Sequence, residues 1–171
     1  MPLPPREARA FLVEDEVSFF VASYLERKGG KILQLLTNGR SGADIIVEWQ
    51  GGYLVIEAKG GGSQKPTSAK YGQAFDRLRM QQSWDAAVAQ LPQLEGGEKA
   101  VYLHGRKIQP DYLGIAVPDT PTYRMMFGWC SRRLDFLGDG VWFVNQDGTV
   151  HEELEPRPIP AVRRGITSKG R

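Results

Sequence analysis

The chain has 171 residues, 41% of them hydrophobic and 25% charged, a composition that excludes a disordered polymer and suits one ordinary domain with a real core. No apolar run approaches the length of a membrane span, the start MPLPPREARA lacks a signal-peptide core, and the lone Cys130 excludes an internal disulfide or a Cys-rich zinc site. A cytoplasmic location without membrane attachment is therefore expected, and the formal net charge of +2 announces no global nucleic-acid field.

The apolar residues Val13, Val17, Phe20, Val21, Tyr24 and Leu25 recur at helical spacing, predicting a helix over about Pro5 to Arg27 that Lys28-Gly29-Gly30 ends. Of three acids near its start, Glu14 falls at the edge of the apolar stripe, Glu16 well off it and Asp15 opposite. Glu14 can therefore reach a site on a neighbouring sheet, although all three also suit a solvated, dipole-friendly cluster. A strand follows over Lys31 to Leu36, then a turn cluster, Asn38-Gly39-Arg40-Ser41-Gly42.

The next stretch, Gly42 to Gly60, reads GADIIVEWQGGYLVIEAKG. Its β-branched residues and central glycines predict a hairpin. A two-residue loop at Gly51-Gly52 would pair Gln50 with Tyr53, Ile46 with Glu57 and Asp44 with Lys59. Alternation then puts Asp44, Glu57 and Lys59 on one face, with Ile45, Val47, Trp49, Leu54, Ile56 and Ala58 on the other.

Gly60-Gly61-Gly62-Ser63 reads as a loop that frees the chain from the strand, or lets backbone amides approach a phosphate. Tyr71 to Leu91 reads as a helix closed by Pro92, with an imperfect stripe: Phe75, Leu78 and Gln82 on one side, Met80, Trp84, Val88 and Leu91 on another. After a loop at Glu95-Gly96-Gly97-Glu98, strands are expected over Ala100 to Leu103 and Tyr112 to Val117. A helix from Pro118-Asp119-Thr120-Pro121 to about Phe136 follows, then a β-hairpin, Val141 to Val144 and Thr149 to Leu154. The result is one mixed α/β domain over residues 1–156, a mixed central sheet flanked by helices. Residues 157–171 form a basic tail that serves either as a solvated end or as a phosphate-contacting arm.

An Asp, a Glu and a Lys on one strand face suit phosphodiester hydrolysis. Two carboxylates can hold Mg²⁺ (or Mn²⁺), Glu14 can widen the metal shell, and Lys59 can stabilise phosphate charge or position the nucleophile. The same residues also read as a cross-strand Asp44–Lys59 salt bridge on a solvated face.

The segment resembles the signature of the PD-(D/E)XK nuclease superfamily, in which an aspartate opens one hairpin strand and Glu-X-Lys lies on the next. Asp44 matches the first acid and Glu57-Ala58-Lys59 the triplet. The preceding helix with Glu14 resembles the family's acid-bearing first helix. The proline of the family's name is replaced by Ala43. The resemblance covers about residues 10 to 117, and the stretch beyond is similar to the tail of uncharacterised bacterial members. It implies a restriction-endonuclease-like αβββαβ core, reproduced in the predicted elements through Tyr102, with a C-terminal helix and hairpin added. It also implies a metal-ligating carbonyl at Ala58 and a glutamine in the following helix, for which Gln73, Gln81 and Gln82 are candidates and Gln82 is preferred. Lys65 and Lys70 join Gln82 as expected nucleic-acid contacts.

The expected function is a metal-dependent endonuclease acting on DNA. A homodimer or partner protein would help to hold the substrate, given the modest net charge. The alternatives are a non-catalytic binding or assembly subunit, and an RNase or nuclease toxin, since EAKGGGS resembles stretches in some contact-dependent toxins. His104 and His151 read as structural or solvated, and Cys130 as a small core filler.

Overall fold

The computed structural model describes residues 2–37, 42–96 and 99–160. A 3-10 turn at Arg6–Ala8 precedes helix α1 (Glu14–Arg27), strands β1 (Lys31–Leu35), β2 (Ile45–Trp49) and β3 (Gly52–Ala58), and helix α2 (Arg77–Gly96). A small hairpin of β4 (Val101–Leu103) and β5 (Arg106–Ile108) leads to β6 (Tyr112–Pro118), helix α3 (Pro121–Leu137), β7 (Gly140–Val144) and β8 (Val150–Leu154). Six strands form one mixed sheet in the order β1-β2-β3-β6-β7-β8. Its middle strands β3, β6 and β7 run parallel, and the flanking pairs are antiparallel.

Hydrophobic burial holds the three layers together. Val17, Val21 and Leu25 of α1 pack on Ile45, Val47, Leu54, Ile56 and Ala58, the apolar hairpin face anticipated from alternation. On the opposite face α2 and α3 bring Trp84, Leu91, Tyr123 and Phe127 against Ile46, Val55, Leu113, Ile115 and Phe143. Strands β6 and β7 are buried throughout, so they read as continuous apolar runs. No described helix is long and apolar enough to cross a membrane.

Several boundaries differ from those expected. Helix α1 begins at Glu14, not near Pro5. The segment before it lies along the glycine run instead, where Gly61 N–H donates to Leu12 O at 2.7 Å. Glu16 caps the helix by accepting the Val13 N–H at 3.0 Å. Helix α2 spans Arg77–Gly96 rather than Tyr71 to Leu91. Its first turn is capped by Asp76 Oδ1, which accepts from Arg79 N at 2.8 Å. The preceding residues bridge back to the loop, through Gly62 with Ala74 and Ser63 with Tyr71. Pro92 lies inside the helix, so Glu95 and Gly96 are helical rather than loop; Gly97 and Glu98 lie outside the described residues.

The strand after α2 that enters the main sheet is β6, beside β3. The expected strand at Ala100 to Leu103 instead pairs with β5 in a separate two-stranded sheet. His104 (φ 50°) and Gly105 (φ 75°) turn this hairpin. At the far end, Arg157 N–H donates to Gly138 O at 2.9 Å, Ile159 N–H to Asp111 O at 3.0 Å, and the Ile159 side chain joins the core. Packing thus continues beyond residue 156. The rest of the basic tail, residues 161–171, and the turn at 38–41 lie outside the described residues.

Candidate functional site

The hairpin turn is Gln50-Gly51, with φ 48° and 81°, the left-handed pair of a type I′ turn. Trp49 therefore opposes Gly52 and Ile45 opposes Ile56. Continuing the register places Asp44 across from Glu57, not Lys59. The two-residue shift changes partners but keeps faces, so Asp44, Glu57 and Lys59 still share one side.

Their contacts are specific. Asp44 Oδ2 accepts the Ala58 N–H at 2.8 Å. Because the N–H and C=O of one strand residue point the same way, the Ala58 carbonyl also faces the Asp44 side. Lys59 Nζ lies 3.0 Å from Glu57 Oε1, which makes Glu57 the partner of the expected Asp44–Lys59 ion pair's lysine. Glu57 Oε2 accepts from Gln90 Nε2 at 2.9 Å. The Glu57 side chain is only 7% exposed and Lys59 22%, so this is no solvated surface pair.

Two further elements close on the hairpin. The start of α1 crosses directly over Gly60, where an added Cβ would sit 2.6 Å from Glu14 N. At Gly62 the same addition would meet the Phe11 ring at 2.3 Å. Close packing of the N-terminal segment therefore explains these glycines, and it carries Glu14 to the site. From α3, the buried Tyr123 donates its hydroxyl to Gly60 O at 2.7 Å.

A cleft of about 770 Å³ opens here, lined by Glu14, Asp44, Glu57 and Lys59 on one side. Lys65, Lys70, Gln82 and Gln90 also line it, with Arg79 and Lys99. Every side chain expected at the site thus borders one cleft, apart from Gln73 and Gln81, the less favoured glutamine candidates. Gln90, absent from the expected candidates, is the α2 glutamine that bonds a site acid; Gln82 borders the cleft about two turns away. Among residues of α2, Arg79, Ser83, Ala86 and Gln90 recur at spacings of four, three and four along the cleft wall. Gln90 lies on this stripe of polar and small side chains, but only the helix's seating on the sheet singles it out.

The electrostatics are strained toward negative charge. Burial, then Glu57 and Glu14, push the Asp44 carboxyl well above the usual carboxylate range, against the Ala58 N–H and Lys59. Burial raises Glu14 as well. For Lys59, burial works against the ammonium, but Glu57, Glu14 and Asp44 outweigh it and hold its pKa above the ordinary value. Burial also raises the Tyr123 hydroxyl far above its ordinary value.

Among the described residues, no group of three or more His, Cys, Asp or Glu side chains could by itself hold a metal ion. A hard cation that keeps several waters does not need three. Asp44, Glu57 and the Ala58 carbonyl form an all-oxygen donor set. Each Glu57 oxygen retains lone-pair capacity beside its present hydrogen bond. The mutual repulsion of the acids is what a bound cation relieves, so the donor chemistry fits Mg²⁺ or Mn²⁺.

The remaining singled-out residues stand apart. Glu16 pairs with Arg9 at 2.8 Å, and His151 Nε2 lies 2.8 Å from Glu153 Oε2 on the surface. His104 occupies the small hairpin turn. Cys130 Sγ donates to Met126 O at 3.4 Å within α3. No protein-family model, curated protein or solved structure matches the chain.

Proposed function

We propose that this chain is a metal-dependent nuclease of the PD-(D/E)XK type that hydrolyses phosphodiester bonds of DNA in the cytoplasm. The observation that carries this reading is the convergence of half-buried Asp44 and buried Glu57 with a charged Lys59 on the wall of one polar cleft. Asp44, Glu57 and the Ala58 carbonyl would hold Mg²⁺ or Mn²⁺, with Glu14 nearby. When bound, the cation supplies charge to a phosphoryl oxygen and lowers the pKa of a water.

The chain's own residues do the rest. The Ala58 N–H fixes the Asp44 carboxylate. Gln90 and Lys59 hold the two oxygens of Glu57. In the metal-free site the acids hold the Lys59 pKa above its ordinary value, and a protonated Lys59 would stabilise charge on the phosphate. Lys65, Lys70 and Lys99 offer positive charge to flanking phosphates.

The test incubates purified protein with plasmid, linear, single-stranded and branched DNA, and with RNA, in Mg²⁺ or Mn²⁺. The wild type is expected to cleave at least one DNA substrate, and Asp44→Ala, Glu57→Ala and Lys59→Ala to lose that cleavage. Identical behaviour of wild type and Lys59→Ala on every substrate overturns the reading. DNA binding without cleavage would favour an assembly subunit, and cleavage confined to RNA an RNase.

A further inference from the structure

Apolar residues of helix α2 and of the segment that leads into it face two ways, and only one set packs inward. Met80, Trp84, Val88 and Leu91 meet the core. Phe75 and Leu78 border the cleft instead, and Leu78 is 62% exposed. The Arg79 guanidinium carbon lies 5.4 Å from the Phe75 ring centroid, so a flat cation lies over an aromatic ring beside an exposed leucine. Farther along the same wall come Ser83 and Ala86, side chains too small to fill the space between this platform and Glu57.

We infer that Phe75, Leu78 and Arg79 form a stacking platform for an unpaired nucleotide base. The cleft would then take single-stranded DNA, or a strand with an unpaired end, in preference to intact duplex. This rests on the phosphodiester reading of the same cleft. Aromatic rings and guanidinium planes stack on base faces without regard to sequence. A duplex hides those faces within its own stack and presents phosphates and groove edges. Against such a surface Leu78 and Phe75 would meet charge and water, whereas an unpaired base covers them. Lys65, Lys70 and Lys99, on the same cleft, supply the positive track that a strand's phosphates require.

The experiment is fluorescence anisotropy with labelled oligonucleotides, using Ca²⁺ in place of Mg²⁺. The probes are one single strand, its duplex, and an abasic strand that keeps the phosphates without the bases. The wild type is expected to bind the single strand about tenfold tighter than either other probe. Phe75→Ala, by losing a stacked base, and Leu78→Ala, by losing apolar cover over that base, should each weaken single-strand binding about fivefold or more and leave duplex binding unchanged. Arg79→Lys, which keeps the charge and loses the plane, should act likewise. Leu78 is exposed, so Leu78→Ala separates loss of the platform from any folding defect of Phe75→Ala. Equal affinity for the three probes, or unchanged single-strand affinity in Leu78→Ala, overturns the inference. The expected binding pattern in a protein that cleaves nothing would uphold the platform and sink the nuclease reading. Cleavage of duplex by a protein indifferent to bases would do the reverse.

Discussion

Gln90 Nε2 donates to Glu57 Oε2 at 2.9 Å, while Lys59 occupies the other oxygen of the same carboxylate at 3.0 Å. Glu57 is therefore oriented from two directions, one of them a helix on the far side of the cleft. Partners that orient a metal-binding carboxylate typically contribute about 10- to 100-fold in metal affinity or activity. Gln90→Leu should accordingly weaken Mg²⁺ binding, measured by calorimetry, by about tenfold, with the fold intact by circular dichroism. Unchanged Mg²⁺ affinity would show that the contact is structural only.

Lys59→Ala should reduce cleavage by about a hundredfold or more, as expected for loss of a group aimed at developing charge. It also leaves Glu57 without its ionic hydrogen bond, a cost of about 1.5–3 kcal/mol. At about 2–4 °C per kcal/mol for a chain of this size, the melting temperature should drop by several degrees while the protein stays folded. A folded variant with full activity would make the lysine merely Glu57's structural partner.

The Asp44 carboxyl is pushed up to about 8 by burial and Glu57. Between its unfolded value, about 3.9, and that folded value, the native state binds more protons than the unfolded chain. Its stabilising contribution is full below the unfolded value and is lost as pH rises through the folded one. In EDTA the melting temperature should therefore decline from about pH 5 to about pH 9, and Asp44→Asn should flatten the decline. Saturating Mg²⁺ should raise stability most at the alkaline end, where the acids are ionised and binding adds to folding free energy. Thermal melts across this range check the sign, and a wild-type profile that climbs with pH in EDTA would refute it.

Gly60 lies where α1 crosses the end of β3, and a methyl group there would press on the Glu14 amide at 2.6 Å. Gly60→Ala should cost about 1–3 kcal/mol through overpacking and displace Glu14 from the cleft. Tyr123→Phe should cost about 1–3 kcal/mol by leaving the buried Gly60 carbonyl without its hydroxyl donor. Urea titrations of both variants measure these losses. A Gly60→Ala variant as stable as wild type would mean that α1 does not press on this loop.

Much of the site was legible along the chain because it depends on alternation within one hairpin. Asp44, Glu57 and Lys59 share a face for any register that differs by an even number of residues. The face therefore survived although the turn sits at Gln50-Gly51 and the cross-strand partner of Asp44 changed. Glu14 was legible from its place at the edge of a helical stripe. Gln90 was not, because which α2 side chain meets Glu57 depends on where the helix starts and how it lies on the sheet. Asp76 capping and passage through Pro92 set those limits, and local propensity ranked both differently.

The amino-acid sequence by itself determined the grouping of Asp44, Glu57 and Lys59 on one hairpin face and the α/β class, since both follow from short-range periodicity in side-chain type. Tertiary structure alone decided the strand order, with β6 rather than β4 beside β3, because a parallel neighbour is chosen by burial on both faces and not by adjacency in the chain. It alone decided that Phe75 and Leu78 border a cleft instead of a core. It also brought Glu14, Gln90 and Tyr123 to one hairpin, through contacts between residues that only packing makes neighbours.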